Sequence, residues 1–249
     1  MDLKDKVALV TGGNGGLGQR ICRALADAGA SVAVVGGSNL DLAREVAADM
    51  RAYGVDSEAF TCDLRQASEI QKVVTDVAAR FGRVDILIND AAFNKAIPFQ
   101  DLDALDLEIW NEIMTVNLTA PLLMCKAVAP IMKQQGGGRI VNITSVAGFA
   151  PSGSSIAYAV SKAGLNHLTK CMAVALAPEV LVNGVAPGLI EGTKLTSRLR
   201  PENIQRANSA ALLQKPADKD DIANQVVTMC QTDTMTGQTV IIDSGRIFT

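Results

Sequence analysis

Histidine and tryptophan occur once each, and aromatic residues make up only 4% of the 249 positions. With His167 as the sole imidazole, a catalytic zinc held by histidines has no ligand set to draw on, and His167 reads as a structural helix residue. The five cysteines (Cys22, Cys62, Cys125, Cys171, Cys230) are scattered, odd in number and form no C-x-x-C pair. Neither a metal site nor a disulfide framework follows from them. They read as reduced, mostly buried thiols of a cytoplasmic protein. No charge dominates, with 23 Lys and Arg against 26 Asp and Glu, so there is no reason to expect binding to nucleic acid or to an anionic membrane. No uncharged apolar run reaches the roughly 18 residues of a membrane span. The start, MDLKDKVALVTGG, lacks an apolar signal core and a cleavage site, so secretion is not expected. What is present is ordinary for a globular protein: 48% hydrophobic and 20% charged residues. That is too apolar and too weakly charged for disorder.

Short runs rich in Val and Ile, at 7–11, 31–35, 57–61, 84–89, 139–144, 181–186 and 239–242, lack strict polar alternation. Strands buried on both faces of a parallel sheet read this way. Helical stretches separate them at 17–28, 40–53, 67–81, 107–134, 156–177 and 219–230. The alternation implies βαβ units in one domain over 1–249: an α/β, Rossmann-like, doubly wound parallel sheet of about seven strands with helices on both faces. Ligands then bind at the carboxyl ends of the strands. No repeat or long linker is visible, and Gly136–Gly138 reads as a tight turn into a strand. Residues 189–215 fit the alternation least. They carry Lys194, Arg198, Arg200 and Arg206, with Pro201 interrupting, and read either as a mobile substrate lid or as an exposed helical excursion.

The first strand runs into Thr11-Gly12-Gly13-Asn14-Gly15-Gly16-Leu17-Gly18, and a helix pattern follows at once. Glycines permit a tight turn and close backbone approach, and the helix N-terminus offers N–H groups to a pyrophosphate. The register is ambiguous, because Gly13-x-Gly15-x-x-Gly18 also fits the common dinucleotide fingerprint. Further on, Tyr158 and Lys162 lie four apart and share one helical face. A phenol with a pKa of about 10 is a poor base at neutral pH, and a nearby ammonium favours its phenolate. Such a pair can exchange a proton with an alcohol or ketone. Thirteen residues before Tyr158, a strand ends at Ser145, where a hydroxyl can hydrogen-bond a substrate oxygen.

Thr11-Gly12-x-x-x-Gly16-x-Gly18 resembles the cofactor motif of the short-chain dehydrogenase/reductase family. Ser145, Tyr158 and Lys162 resemble its Ser…Tyr-x-x-x-Lys triad at the usual spacing. The resemblance covers nearly the whole chain. It selects Gly12, Gly16 and Gly18 as motif glycines, with Asn14 and Leu17 in the same turn. Asn117, in Val116-Asn117-Leu118, matches the family's additional asparagine, to which the family assigns both a proton-relay water near the Lys and backbone contacts. Asp63-Leu64 resembles the adenine-contacting site. Asn89-Asp90-Ala91-Ala92 resembles the family's Asn-Asn-Ala-Gly and departs from it at Asp90 and Ala92. Pro187-Gly188, with Ile190 and a slightly late Thr193, resembles the nicotinamide-side turn. Thr236-Gly237-Gln238…Asp243-Ser244-Gly245 resembles the closing strand, with Ser244 where glycine is usual.

The resemblance implies an NAD(P)-dependent oxidoreductase, a secondary-alcohol dehydrogenase or carbonyl reductase. In that scheme Tyr158 is general acid/base, Lys162 lowers its pKa and binds the nicotinamide ribose, and Ser145 orients the substrate. It also implies a homo-oligomer, a tetramer pairing long helices and the last strand. The cofactor is NAD or NADP. Residues Gly36-Gly37-Ser38-Asn39 after the second strand hold neither the acid usual in NAD sites nor a cation for a 2′-phosphate. Ser38 can bond a neutral ribose, which leans to NAD unless Arg44 or Arg65 folds into the site. The substrate is a small alcohol or ketone, and Phe93, Ile97, Phe149, Ala150 and Leu189 suggest a partly apolar cavity. The cations between Lys194 and Arg206 either favour an acidic substrate or an acyl carrier, or form a solvated surface. Alternatives are a 3-oxoacyl-thioester (acyl carrier) reductase and a non-catalytic cofactor-binding sensor. A sugar-nucleotide epimerase is disfavoured, because no separate substrate domain follows the sheet.

Overall fold

A computed structural model describes residues 1–193, 196–197 and 201–248. Seven parallel strands are ordered β3-β2-β1-β4-β5-β6-β7. They are β1 Val7–Thr11, β2 Ser31–Gly36, β3 Ser57–Thr61, β4 Ile86–Asn89, β5 Gly138–Ile143, β6 Val180–Pro187 and β7 Thr239–Ile242. The order reverses at β1, whose neighbours are β2 on one side and β4 on the other. Between the carboxyl ends of β1 and β4 the crossovers diverge and leave a crevice, the usual ligand position of this architecture.

Alternate strand residues feed two cores, as the period of two requires. On one face Ala8, Val10, Val32, Val34, Ile86, Ile88 and Val141 pack against α1 (Gly18–Asp27), α2 (Leu40–Ala52) and α8 (Lys219–Gln231). On the other, Leu9, Ala33, Val35, Leu87, Ile140 and Val182 pack against α3 (Ala67–Phe81), α5 (Ala120–Gln134) and α6 (Ile156–Leu176). The central strands are buried throughout, and the edge strands β3 and β7 are partly exposed. Continuous apolar runs were therefore the correct signature of two-sided burial.

Several boundaries shift by one residue from the sequence expectation, and two differences are larger. The fourth strand begins at Ile86, not at residue 84, although Asp85 still donates to Val7 and accepts from Arg139 through its backbone. The expected single helix over 107–134 is α4 (Leu107–Met114), a π-helical turn at Thr115–Thr119 and then α5. Periodicity does not register a one-residue expansion of the helix, and such turns gather at functional sites. The segment Leu107–Gln134 is the one helical stretch among the described residues long and apolar enough to cross a membrane by length and composition; 44% of its most apolar window is buried within the fold. A short helix, α7 (Pro201–Ser209), lies in the segment read as a lid. Residues 194–195 and 198–200 of that segment, including Lys194, Arg198 and Arg200, lie outside the described residues.

Leu87 sits fully buried in the middle of β4. Leu87→Ala is expected to cost about 3 kcal/mol. For a chain of this size that lowers the melting temperature by roughly 6–12 °C, measurable by thermal denaturation.

Candidate active site

The glycine-rich turn is built on three positions where a side chain has no room. Gly12 has φ +69°, and a Cβ there would meet the Ala91 backbone at 2.9 Å. A Cβ at Gly16 would meet the Gly192 carbonyl oxygen at 2.8 Å, and one at Gly18 would lie 2.2 Å from the Gly12 carbonyl oxygen. Gly13 and Gly15 are less tightly confined, at 3.0 Å or more from their neighbours. The ambiguity of register is thus decided for Gly12, Gly16 and Gly18. No side chain caps α1, whose N-cap is the buried Leu17; the amides of Gln19, Arg20 and Ile21 bond backbone carbonyls of the turn itself, so a ligand would meet the amides that precede them. Asn14 ties the turn to the β2–α2 loop through Nδ2, which donates to the Asn39 carbonyl at 3.1 Å. These features fit a dinucleotide pyrophosphate, because the turn presents amides and keeps side chains out of the approach.

Ser38 is exposed beyond β2, and Asn39 is spent capping α2. The two arginines considered as a source of a cation there are engaged: Arg44 pairs with Asp41 at 3.1 Å, and Arg65 grips Asp63 through Nε at 2.8 Å and Nη2 at 2.9 Å. Arg65 also reaches Glu112 at 3.3 Å. Hydrogen bonding from Arg65 holds the Asp63 carboxyl below the ordinary range. Leu64 is half-buried beside it.

Asn89 turns its side chain inward. Its Nδ2 donates to Asn142 Oδ1 at 2.8 Å, Asn142 Nδ2 donates to Thr169 Oγ1 at 2.9 Å, and Thr169 donates to the Leu165 carbonyl at 2.8 Å. This buried chain ties β4, β5 and α6 together and occupies the Asn89 side-chain amide nitrogen. Ala91 supports the turn from below, with its N–H 3.4 Å from Thr11 Oγ1. At the end of β6, Gly188 is pressed against Asp243, with a Cβ there 2.8 Å from the Asp243 Cα. Ile190 packs on the core, and Thr193 bonds Thr196, hydroxyl to hydroxyl, at 2.9 Å. The close contact of Gly192 and Thr193 with Gly16 places this loop over the glycine-rich turn.

The four residues expected to carry chemistry do come together. Ser145 follows β5 and accepts from the Ala147 N–H at 3.2 Å. Ser155 caps α6 by accepting from the Tyr158 N–H at 3.2 Å, which sets Tyr158 in the first turn, and Lys162 follows one turn later. Lys162 is 2% exposed, and its Nζ donates to the Ile143 carbonyl at 2.8 Å. Asn117, in the π-helical turn, accepts from the Phe93 N–H at 2.8 Å and donates to the Phe93 carbonyl at 2.9 Å and to Ser161 Oγ at 3.1 Å. Its side chain is therefore occupied in pinning the loop after β4 to α6.

Burial dominates the electrostatics of the site. Burial raises the Tyr158 phenol above its ordinary range. A hydrogen bond from Ser145 opposes this, and the Asp90 carboxylate adds to it. Lys162 donates to the Ile143 carbonyl, and its Nζ stands 5.9 Å from the Tyr158 ring centre. Lys162 is itself drawn down to about 8 by burial, with Asp90 countering. Asp90 is pushed up to about 7 by burial, with Lys162 countering.

Sequence reasoning passed over Gly148, where a Cβ would lie 2.7 Å from the Lys162 carbonyl, and Ser161, Asn142 and Thr169. Only the Ser-x-x-Gly spacing and the polar residues within apolar runs hinted at them. Asp90 was visible only as a departure from the asparagine pattern.

Comparison with known proteins agrees with this geometry. The short chain dehydrogenase family model matches residues 6–204. Mouse dehydrogenase/reductase SDR family member 4 is 37% identical over 98% of this chain and 88% of its own length. The 3-oxoacyl-(acyl-carrier-protein) reductase FabG of Aquifex aeolicus is 35% identical over 98% of both. The solved structure of a putative short-chain alcohol dehydrogenase from Sinorhizobium meliloti superposes with a TM-score of 0.91 at 30% identity, covering 98% of this chain and 97% of that one. The chain belongs to the short-chain dehydrogenase/reductase family. It is an oxidoreductase that interconverts an alcohol and a ketone using a nicotinamide dinucleotide.

Gly18→Ala is expected to weaken reduced-nicotinamide binding at least about tenfold, some 1.4 kcal/mol, and to lower the melting temperature. Gly15→Ala should do much less. Fluorescence titration beside a thermal melt distinguishes the two, and equal effects would contradict the assigned register.

Proposed function

We propose that this protein oxidises a secondary alcohol or reduces the corresponding ketone, with Tyr158 as general acid/base. The observation that carries this reading is the meeting of Ser145, Tyr158 and Lys162 at the carboxyl ends of β5 and α6's first turns, beside the glycine-rich turn. The dinucleotide, when bound, donates or accepts the hydride. Ser145 holds the substrate oxygen against the phenol. Tyr158 gives its proton to the carbonyl oxygen in reduction and takes it back in oxidation. Lys162 directs its remaining N–H donors at the nicotinamide ribose, while Asn117 keeps the loop at Phe93 in place as one wall of the cavity.

NAD is the preferred cofactor in this reading. Ser38 offers a hydroxyl to the ribose, and the neighbouring arginines are committed to carboxylates. A doubly charged 2′-phosphate without a cation is costly to desolvate. The substrate is a small alcohol or ketone, and the described parts of 189–215 serve as its lid. The protein is cytoplasmic and a homotetramer. A 3-oxoacyl thioester is the second substrate class, favoured by the likeness to an acyl-carrier-protein reductase. A panel of cyclic alcohols, polyols and acetoacetyl thioesters, followed by reduced-nicotinamide absorbance, discriminates the two.

Tyr158→Phe is expected to lower turnover by roughly 10²–10⁴-fold while leaving cofactor affinity nearly unchanged; near wild-type activity would refute the assignment. The Michaelis constant for NADH should be lower than that for NADPH, and the reverse order would overturn the NAD preference.

A further inference from the structure

The carboxyl end of β2 has no side chain of its own, and Asn14 from the neighbouring turn fills the space. Dinucleotide sites of this architecture read the adenosine ribose at that end, where an acid accepts from the 2′-hydroxyl. In this chain the last residue of β2 is the buried Gly36. A Cβ on Gly36 would lie 2.8 Å from Asn14 Nδ2, 3.2 Å from Asn14 Cγ and 3.3 Å from Ala43 Cβ. An acid on that residue and the amide of Asn14 therefore compete for the same volume. The next residue differs, since a Cβ on Gly37 would meet nothing within 4 Å. Asn14 is held from several sides. The Gly13 N–H donates to the Val35 carbonyl at 3.2 Å, which seats the turn on β2. Gln19 Nε2 donates to the Asn14 carbonyl at 3.1 Å. Asn14 Nδ2 donates to the Asn39 carbonyl at 3.1 Å, and Asn39 is itself fixed as the cap of α2.

That last bond decides which way the amide faces. Only the nitrogen of a side-chain amide can donate to a carbonyl, so Nδ2 is committed to Asn39 and Oδ1 is left over. Among the described residues no donor reaches Oδ1, and it is not sealed in the interior. We propose that Asn14 is the specificity-determining residue for the adenosine ribose, its Oδ1 replacing the absent acid as acceptor for the 2′-hydroxyl. A free acceptor bonds a hydroxyl and repels the oxygens of a 2′-phosphate, which offer no donor when ionised. One neutral atom thus favours NAD over NADP without any charge on β2. Gly36 is the other half of the device, because its missing side chain makes room for the amide. The proposal deepens the NAD preference stated above and rests on that reading; it does not depend on the role of Tyr158.

The experiment measures dissociation constants for NADH and NADPH by nicotinamide fluorescence, on the whole protein without substrate, with a thermal melt beside each variant. The quantity read is the NADPH constant divided by the NADH constant. Asn14→Ala is expected to lower that ratio about fivefold, through weaker NADH binding; Asn14→Gly serves the same purpose if the alanine variant does not fold. A lesion confined to the tie between Asn14 and Asn39 would weaken both dinucleotides alike and leave the ratio in place. Gly36→Ala, which displaces the amide, should lower the ratio by a similar factor, whereas Gly37→Ala should not move it. Added to Asn14→Ala, the Gly36→Ala change should have no further effect on the ratio, because both act through one group. An unchanged or raised ratio in Asn14→Ala overturns the proposal, and so does a wild type that binds neither dinucleotide. A wild-type ratio below one would refute the NAD preference, while the shift on substitution would still report on Asn14.

Discussion

The hydrogen-bonded chain Asn89–Asn142–Thr169 is the constraint on which the site depends. It lies buried where apolar packing alone would permit β4, β5 and α6 to slide against one another. Side-chain amides have directional needs that apolar surfaces lack, and an unpaired one in the interior is costly. Satisfying all three residues at once sets the strand ends at one height relative to α6. Asp90 and Ser145 follow those ends, and Lys162 lies on α6. The chemistry is thus placed by a polar lock in the core rather than by contacts among the reacting groups.

Once the ends are placed, burial dominates the electrostatics. It raises Tyr158 and Asp90 and lowers Lys162, in each case disfavouring the charged form. Charges held apart in a poorly solvated site act over longer distances than the same charges in water. The hydroxyl of Ser145 and the carboxylate of Asp90 therefore pull on the phenol in opposite directions. Lys162, turned to the Ile143 carbonyl, is held as a fixed donor.

The glycine-rich turn and the loop after β6 form a second coupled pair. Gly16 lies against Gly192, and Gly12 against Ala91, so three loops from different parts of the chain meet at the crevice. Each approach is closer than a methyl group allows. The requirement for glycine there comes from neighbours far away in sequence as much as from the turn's own dihedral angles.

Much was legible in the sequence because it is local. Two-sided apolar runs revealed the parallel strands, and the alternation with helices revealed the winding. A Tyr and a Lys four apart share a helical face whatever surrounds them. These features depend on backbone periods of two and 3.6, which a linear sequence displays directly. What only the tertiary structure decided concerns partners separated by tens of residues. It chose among five glycines by bringing Ala91 and Gly192 against the turn. It opened a π-helical turn at Asn117 and gave that side chain to Phe93. It showed Asn89 locking the core. It sent the Lys162 ammonium to the Ile143 carbonyl, with the Tyr158 ring centre 5.9 Å away. Spacing along a chain fixes which residues share a surface, but the distance between charges and the water left around them exist only after folding.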